Sequence, residues 1–211
     1  MHSSSLRETP AMSEDVHQEN VQEGSLQEDS AQESSLQQAI AQQVKQWLEE
    51  VVIGFNFCPF ARRELEAGRV RFTVIEGSKV KQAVAALLDE LHFLDKNDAV
   101  ETTLLIFADG WRDFYQFLDM LEVAQMALED VGYEGVYQLA SFHPEYVFEG
   151  EDFDDASNYT NRAPYPVIHL LREVSIELAV EKHPDPDGIP VRNQALAREK
   201  GAAFWASFLK R

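Results

Sequence analysis

The chain has 211 residues, of which 45 % are hydrophobic, and its 18 Lys and Arg face 37 Asp and Glu for a formal charge of −19. That length suits one domain plus a tail, the composition supports a real core, and the charge disfavours a sequence-independent grip on nucleic acid or an anionic membrane. No apolar run approaches the roughly 20 residues that span a bilayer, and the N-terminus lacks the basic-then-apolar order of a secretory signal, so a soluble, cytoplasmic protein is expected.

The chain opens on a five-residue repeat: V-H-Q-E-N from Val16, V-Q-E-G-S from Val21, L-Q-E-D-S from Leu26, A-Q-E-S-S from Ala31 and L-Q-Q-A-I from Leu36. Five residues advance a helix by roughly 140°, so the apolar positions wander around its axis and form no stripe. With few large apolar groups to offset ordering entropy, residues 1–34 are expected to be a disordered acidic tail and residues 35–211 a single domain.

From Leu36 the spacing changes to that of one helix face: Leu36, Ile40, Val44, Trp47, Leu48, Val51, Val52 and Phe55. V-R-F-T-V-I from Val70 reads as a strand, and Gly77-Ser78 supplies a turn and an N-cap for a helix carrying Val80, Val84, Leu87, Leu88 and Leu91. T-T-L-L-I-F-A from Thr102 is a second strand, turned at Asp109-Gly110 into a helix bearing Phe114, Phe117, Leu118, Leu121 and Leu128, with Gly132 at its stop. V-Y-Q-L-A-S-F from Val136 is a third strand, followed by a polar loop from His143 to Arg162. Two helices then start near Pro166 and Pro190, each with proline suited to a first turn. The expected fold is α/β: a small parallel or mixed sheet of about three strands with crossover helices, an N-terminal helix and two C-terminal helices.

Ligands of open parallel sheets bind beyond the carboxyl ends of the strands, which draws attention to Ser141-Phe142-His143-Pro144 and the loop behind it. A connection this long is usually functional or disordered, and Tyr146, Phe148, Phe153, Tyr159 and Tyr165 argue for packing. Asn158, Asn161 and Arg162 precede a helix start, and His169 and Arg172 fall three apart on one face of that helix. Arg162 with first-turn N–H groups would hold a carboxylate or phosphate; equally, it would pair with the acidic run Glu151, Asp152, Asp154 and Asp155. His143, His169 and His183, with a carboxylate such as Asp185, could hold zinc or ferrous iron, although their spacing matches no compact metal motif.

Cys58 is the only cysteine, which excludes an intrachain disulfide or a multi-cysteine zinc site. It fits the N-cap of a short helix with Pro59 at the first position and Gly68 after the end, where the helix dipole, Arg62 and Arg63 would favour a thiolate nucleophile. Phe55, Phe57 and Phe60 beside it equally suit a buried structural thiol.

The stretches G-F-N-F-C-P-F-A at 54–61, S-F-H-P-E-Y at 141–146, N-Y-T-N-R-A-P-Y-P at 158–166, H-L-L-R-E at 169–173, and H-P-D followed by I-P-V-R-N together resemble the bacterial family catalogued as domain of unknown function 1415. The resemblance runs from about residue 36 to the C-terminus, leaves out the five-residue repeat and supplies no established activity. It implies that Asn56, Cys58, Pro59, His143, Asn158, Asn161, Arg162, His169, Arg172, His183, Arg192 and Asn193 match the family's recurrent polar and punctuation positions.

These readings converge on an enzyme of unassigned reaction acting on a small anionic metabolite. Cys58, His143 and His169 are its catalytic candidates, Asn158, Asn161, Arg162 and Arg172 its substrate-binding candidates, and no cofactor is named. Two alternatives stand beside it: a non-catalytic ligand-binding or interaction protein, and a mononuclear metal protein ligated by His143, His169 and His183.

Overall fold

The computed structural model describes residues 33–209. The described residues fall into two units, 33–38 and 39–209. Residues 33–38 are helical, and the acidic tail expected over residues 1–34 falls almost wholly outside the described residues.

The second unit opens on helix α1, residues 39–47, which widens into a π-helical turn at Leu48–Ile53. Ile40, Val44, Trp47, Leu48, Val51 and Val52 are all buried, as their spacing predicts. The wider turn adds Ile53, so three consecutive side chains enter the core. Behind it come α2 (Ala61–Glu66), β1 (Val70–Ile75), α3 (Val80–Lys96), β2 (Thr102–Phe107), α4 (Phe114–Asp130) and β3 (Tyr137–Phe142). A single 3-10 turn at Ala156–Thr160 interrupts the long loop. The chain ends with β4 (Val167–Arg172), α5 (Glu173–Lys182), α6 (Gly188–Lys200) and α7 (Ala202–Ala206).

The four strands form one mixed sheet in the order β1-β2-β4-β3. β1 and β2 run parallel, and β4 lies antiparallel to both β2 and β3. The α/β class, the mixed sheet and the N-terminal helix agree with the sequence, but the described residues form four strands and not about three, and three helices and not two follow the sheet. The segment behind Pro166 is β4, not a helix. Val167, Ile168, Leu170 and Leu171 form a short run that is apolar on both faces, and periodicity alone does not separate such a run from a helix turn. Two start signals also move. Lys79, not Ser78, is the N-cap of α3 and makes no side-chain cap bond. Asp113, by contrast, caps α4 by accepting from Gln116 N–H.

Alternation along the strands sorts the core into two layers. Leu105, Phe107, Ile168 and Leu170 pack with Leu87, Leu91, Phe117 and Leu128 of α3 and α4 on one face. Leu104, Ile106 and Val167 pack with α1, the π-helical turn, Phe57 and Trp205 on the other. On this second face α5 has no buried residue, and Val174, Leu178 and Val180 stand exposed on it.

Candidate functional site

The candidate residues separate into two groups, one in the loop behind β3 and one around a cavity beneath α5. The first gathers at the end of β3. His143 is fully buried among Phe114, Phe117 and Tyr146. Its Nδ1 accepts from Glu145 N–H at 3.0 Å and its Nε2 lies 2.8 Å from Trp111 carbonyl oxygen, which fixes a neutral ring with its proton on Nε2. Trp111 itself has φ 50, a left-handed backbone uncommon for a bulky side chain.

Asn158 is also fully buried and holds the loop from within. Its Oδ1 accepts from Phe148 N–H at 2.9 Å, and its Nδ2 donates to Asp152 and Phe153 carbonyls at 2.8 and 3.2 Å. Asn161 ties the loop to β3 by accepting His143 N–H on its own carbonyl at 3.2 Å. Arg162 Nε and Nη2 donate to Tyr146 and Phe153 carbonyls at 3.1 and 2.8 Å, and the guanidinium lies over the rings of Phe153 and Tyr159. Because β4 follows Pro166, the helix N-terminus expected beside Arg162 is not there. The acidic run meets a different cation: Arg198 contacts Glu151 and Asp155 at 2.8 and 3.0 Å. These contacts also hold the Asp155 carboxyl below its usual range, chiefly through Ser157 and then Arg198.

The second group surrounds a mostly apolar cavity of about 760 Å³ on the face covered by α5. β2, β3 and β4 supply its floor, including Leu104, Ala140, Phe142 and Leu171. Trp47, Leu48 and Val52 form one wall, Cys58, Pro59 and Phe60 another, and Ile176, Leu178 and Ala179 of α5 a third. His169 lies on the floor and His183 at the wall, where its ring meets Phe60 edge to face at 5.9 Å.

His169 and Arg172 therefore stand on a strand, three residues apart, so their side chains leave opposite faces and not one face of a helix. Arg172 reaches the edge of the α3 layer, where it donates to Leu94 and Val100 carbonyls and to the Tyr137 hydroxyl at 2.6, 3.2 and 3.1 Å. His169 Nε2 lies 2.7 Å from Thr102 Oγ1, and that hydroxyl donates its one proton to Leu170 carbonyl. Thr102 can then only accept from the ring, which puts the imidazole proton on Nε2 and leaves Nδ1 a lone-pair acceptor. Burial pushes the His169 pKa down from the usual 6.5 to about 4, so the ring is neutral near pH 7.

Cys58 is half-buried and sits in the turn ahead of α2, whose N-cap is Phe60 and not Cys58. Burial raises its pKa, and hydrogen bonding with the Phe60 and Ala61 backbone opposes that rise only in part. The turn is held from α6: Asn193 Nδ2 donates to Phe57 carbonyl at 2.7 Å and Arg192 to Asn56 carbonyl. Asn56 adopts φ 57, which asparagine tolerates better than most residues.

Cys58, His169 and His183 thus meet around one cavity, while His143, Asn158, Asn161 and Arg162 hold together a loop elsewhere. With His143 on the other face, the three histidines do not converge, and among the described residues no group of three His, Cys, Asp or Glu side chains is placed to hold a metal ion. Four buried side-chain polar atoms lack a hydrogen-bond partner among the described residues. Two of them, Trp47 Nε1 and Arg69 Nε, belong to side chains that line the cavity; Thr103 Oγ1 and Trp111 Nε1 belong to the α3/α4 side. The orphan indole and the π-helical turn carry no signal readable from sequence.

Residues 39–207 match the family model described as "Protein of unknown function (DUF1415)". The chain belongs to this family. No curated protein and no solved structure matches the chain. The matched span contains both groups of polar residues, so family membership does not choose between them. No described helix is long and apolar enough to cross a membrane.

Proposed function

We propose that this protein binds a small, mostly apolar molecule in the cavity between the sheet and α5. One observation carries the reading: a cavity of about 760 Å³, within the size range of small-molecule sites, has a lining surface that is mostly apolar. α5 supports it as well, because a helix without a buried residue encloses the cavity without filling it.

Binding is favoured over thiol catalysis by the protonation states. With His169 as the base, a nucleophilic Cys58 would pass its proton to that ring, forming a thiolate and an imidazolium. Burial raises the first pKa and lowers the second, so both shifts oppose that ion pair. An anion grip by Arg162 and Arg172 is disfavoured too, since both guanidiniums already donate to carbonyl oxygens.

Titration with the neutral dye Nile red, read by fluorescence, tests this. Saturable binding is expected, weakened at least about tenfold by Ala140→Trp, which fills the cavity floor without touching the α3/α4 layer. Equal dye binding by parent and variant, with both folded, would move the ligand elsewhere and reject the reading.

A further inference from the structure

We infer that the cavity selects uncharged ligands that carry a hydrogen-bond donor, such as an alcohol or a phenol, over carboxylates and over molecules with no donor; this rests on the cavity being a binding site. The geometry at His169 sets the preference. Thr102 sends its only proton to Leu170 carbonyl and so receives the His169 Nε2 proton, leaving Nδ1 as an acceptor. Nδ1 has no partner among the described residues, and it belongs to a ring on the cavity floor. A ligand hydroxyl placed there satisfies a polar atom that the chain leaves unsatisfied. A carboxylate oxygen placed there would meet a lone pair with a lone pair.

Three of the cavity's four cations are engaged within the chain. Arg69 and Arg63 both contact Glu64, and Arg172 is bound to backbone carbonyls. Arg63, Arg69, Arg172 and Lys182 stand in the lining beside Glu64 and Glu101, so the preference rests on the acceptor at His169 and not on charge. The low pKa of His169 keeps the acceptor unprotonated throughout the neutral range. Neighbouring rings complete the description: Phe142 lies 6.3 Å from the imidazole and 5.1 Å from Trp47, which gives a flat apolar ligand aromatic surface next to the acceptor.

The test is calorimetric titration of the full chain at pH 7.5 with a matched series: 4-pentylphenol, its methyl ether and 4-pentylbenzoate. The phenol should bind about five- to tenfold more tightly than the ether, the benzoate should bind worst, and His169→Phe should remove the phenol's advantage over the ether. The comparison of phenol with ether on the unaltered protein stands even if the variant does not fold. Phenol and ether binding alike, or benzoate binding best, would overturn the donor preference while leaving the cavity a binding site. Failure of all three to bind, together with no saturable Nile red binding, would overturn the binding reading itself and this inference with it.

Discussion

The loop behind β3 and the cavity beneath α5 use the same residue types to opposite ends. In the loop, His143, Asn158 and Arg162 are buried and each donor or acceptor described for them faces a partner, mostly backbone. In the cavity, His169 engages one nitrogen and offers the other. A polar side chain whose capacity is used up inside the chain is scaffold, and one with capacity left over facing a cavity is a site. Arg162 looks like an anion ligand in sequence because its partners are carbonyl oxygens, which no side-chain pattern announces.

The contrast breaks most sharply at Arg162. Arg162→Ala should destabilise by about 3 kcal/mol in urea unfolding, since it orphans two carbonyls and removes a guanidinium stacked on two rings, yet Nile red affinity should hold wherever the variant is folded. A stable variant that loses the dye would place the loop in the site. His169 should show the next largest effect, through pH. Its folded pKa lies below the usual value, so between pH 6.5 and about 4 the unfolded chain takes up a proton that the folded chain refuses. This contribution is fully present above about 6.5 and falls away as pH drops towards 4, by on the order of 2 kcal/mol once partial exposure is allowed for. His169→Phe should flatten that part of the stability profile; an unchanged slope would mean that the imidazole is not held neutral.

Cys58 sharpens the comparison on the cavity side. Iodoacetamide should alkylate it more slowly at pH 7.5 than a free thiol, with a rate still climbing at high pH, as its raised pKa requires. Apolar ligand should slow the reaction further, because Cys58 lines the cavity. Fast modification at neutral pH would restore the nucleophile reading. The smallest effect is expected at Arg198, whose partners Glu151 and Asp155 lie at the surface: Arg198→Ala should leave the thermal midpoint close to the parent's.

How much of this could be read from residues alone varies with the kind of signal. α1, α3, α4 and the first three strands follow hydrophobic period and turn chemistry, and both lie in the sequence. β4 does not, because Val167–Arg172 is apolar towards both layers and is preceded by a proline that also suits a helix start. That one misassignment put His169 and Arg172 on a common helix face and gave Arg162 a helix terminus to work with. Cys58, His169 and His183 were each identifiable as chemistry-bearing residues. Their convergence depends on β4 lying between β2 and β3, a strand order that local patterns do not encode.

The central claim is that the cavity beneath α5, and not the loop behind β3, is the site. Its most direct test is a backbone and methyl NMR titration with 4-pentylphenol. The account predicts saturable shifts at Ala140, His169, Leu171 and Ile176, with Tyr146, Phe153 and Arg162 unmoved. Shifts concentrated on the loop, or none at either place, would contradict it.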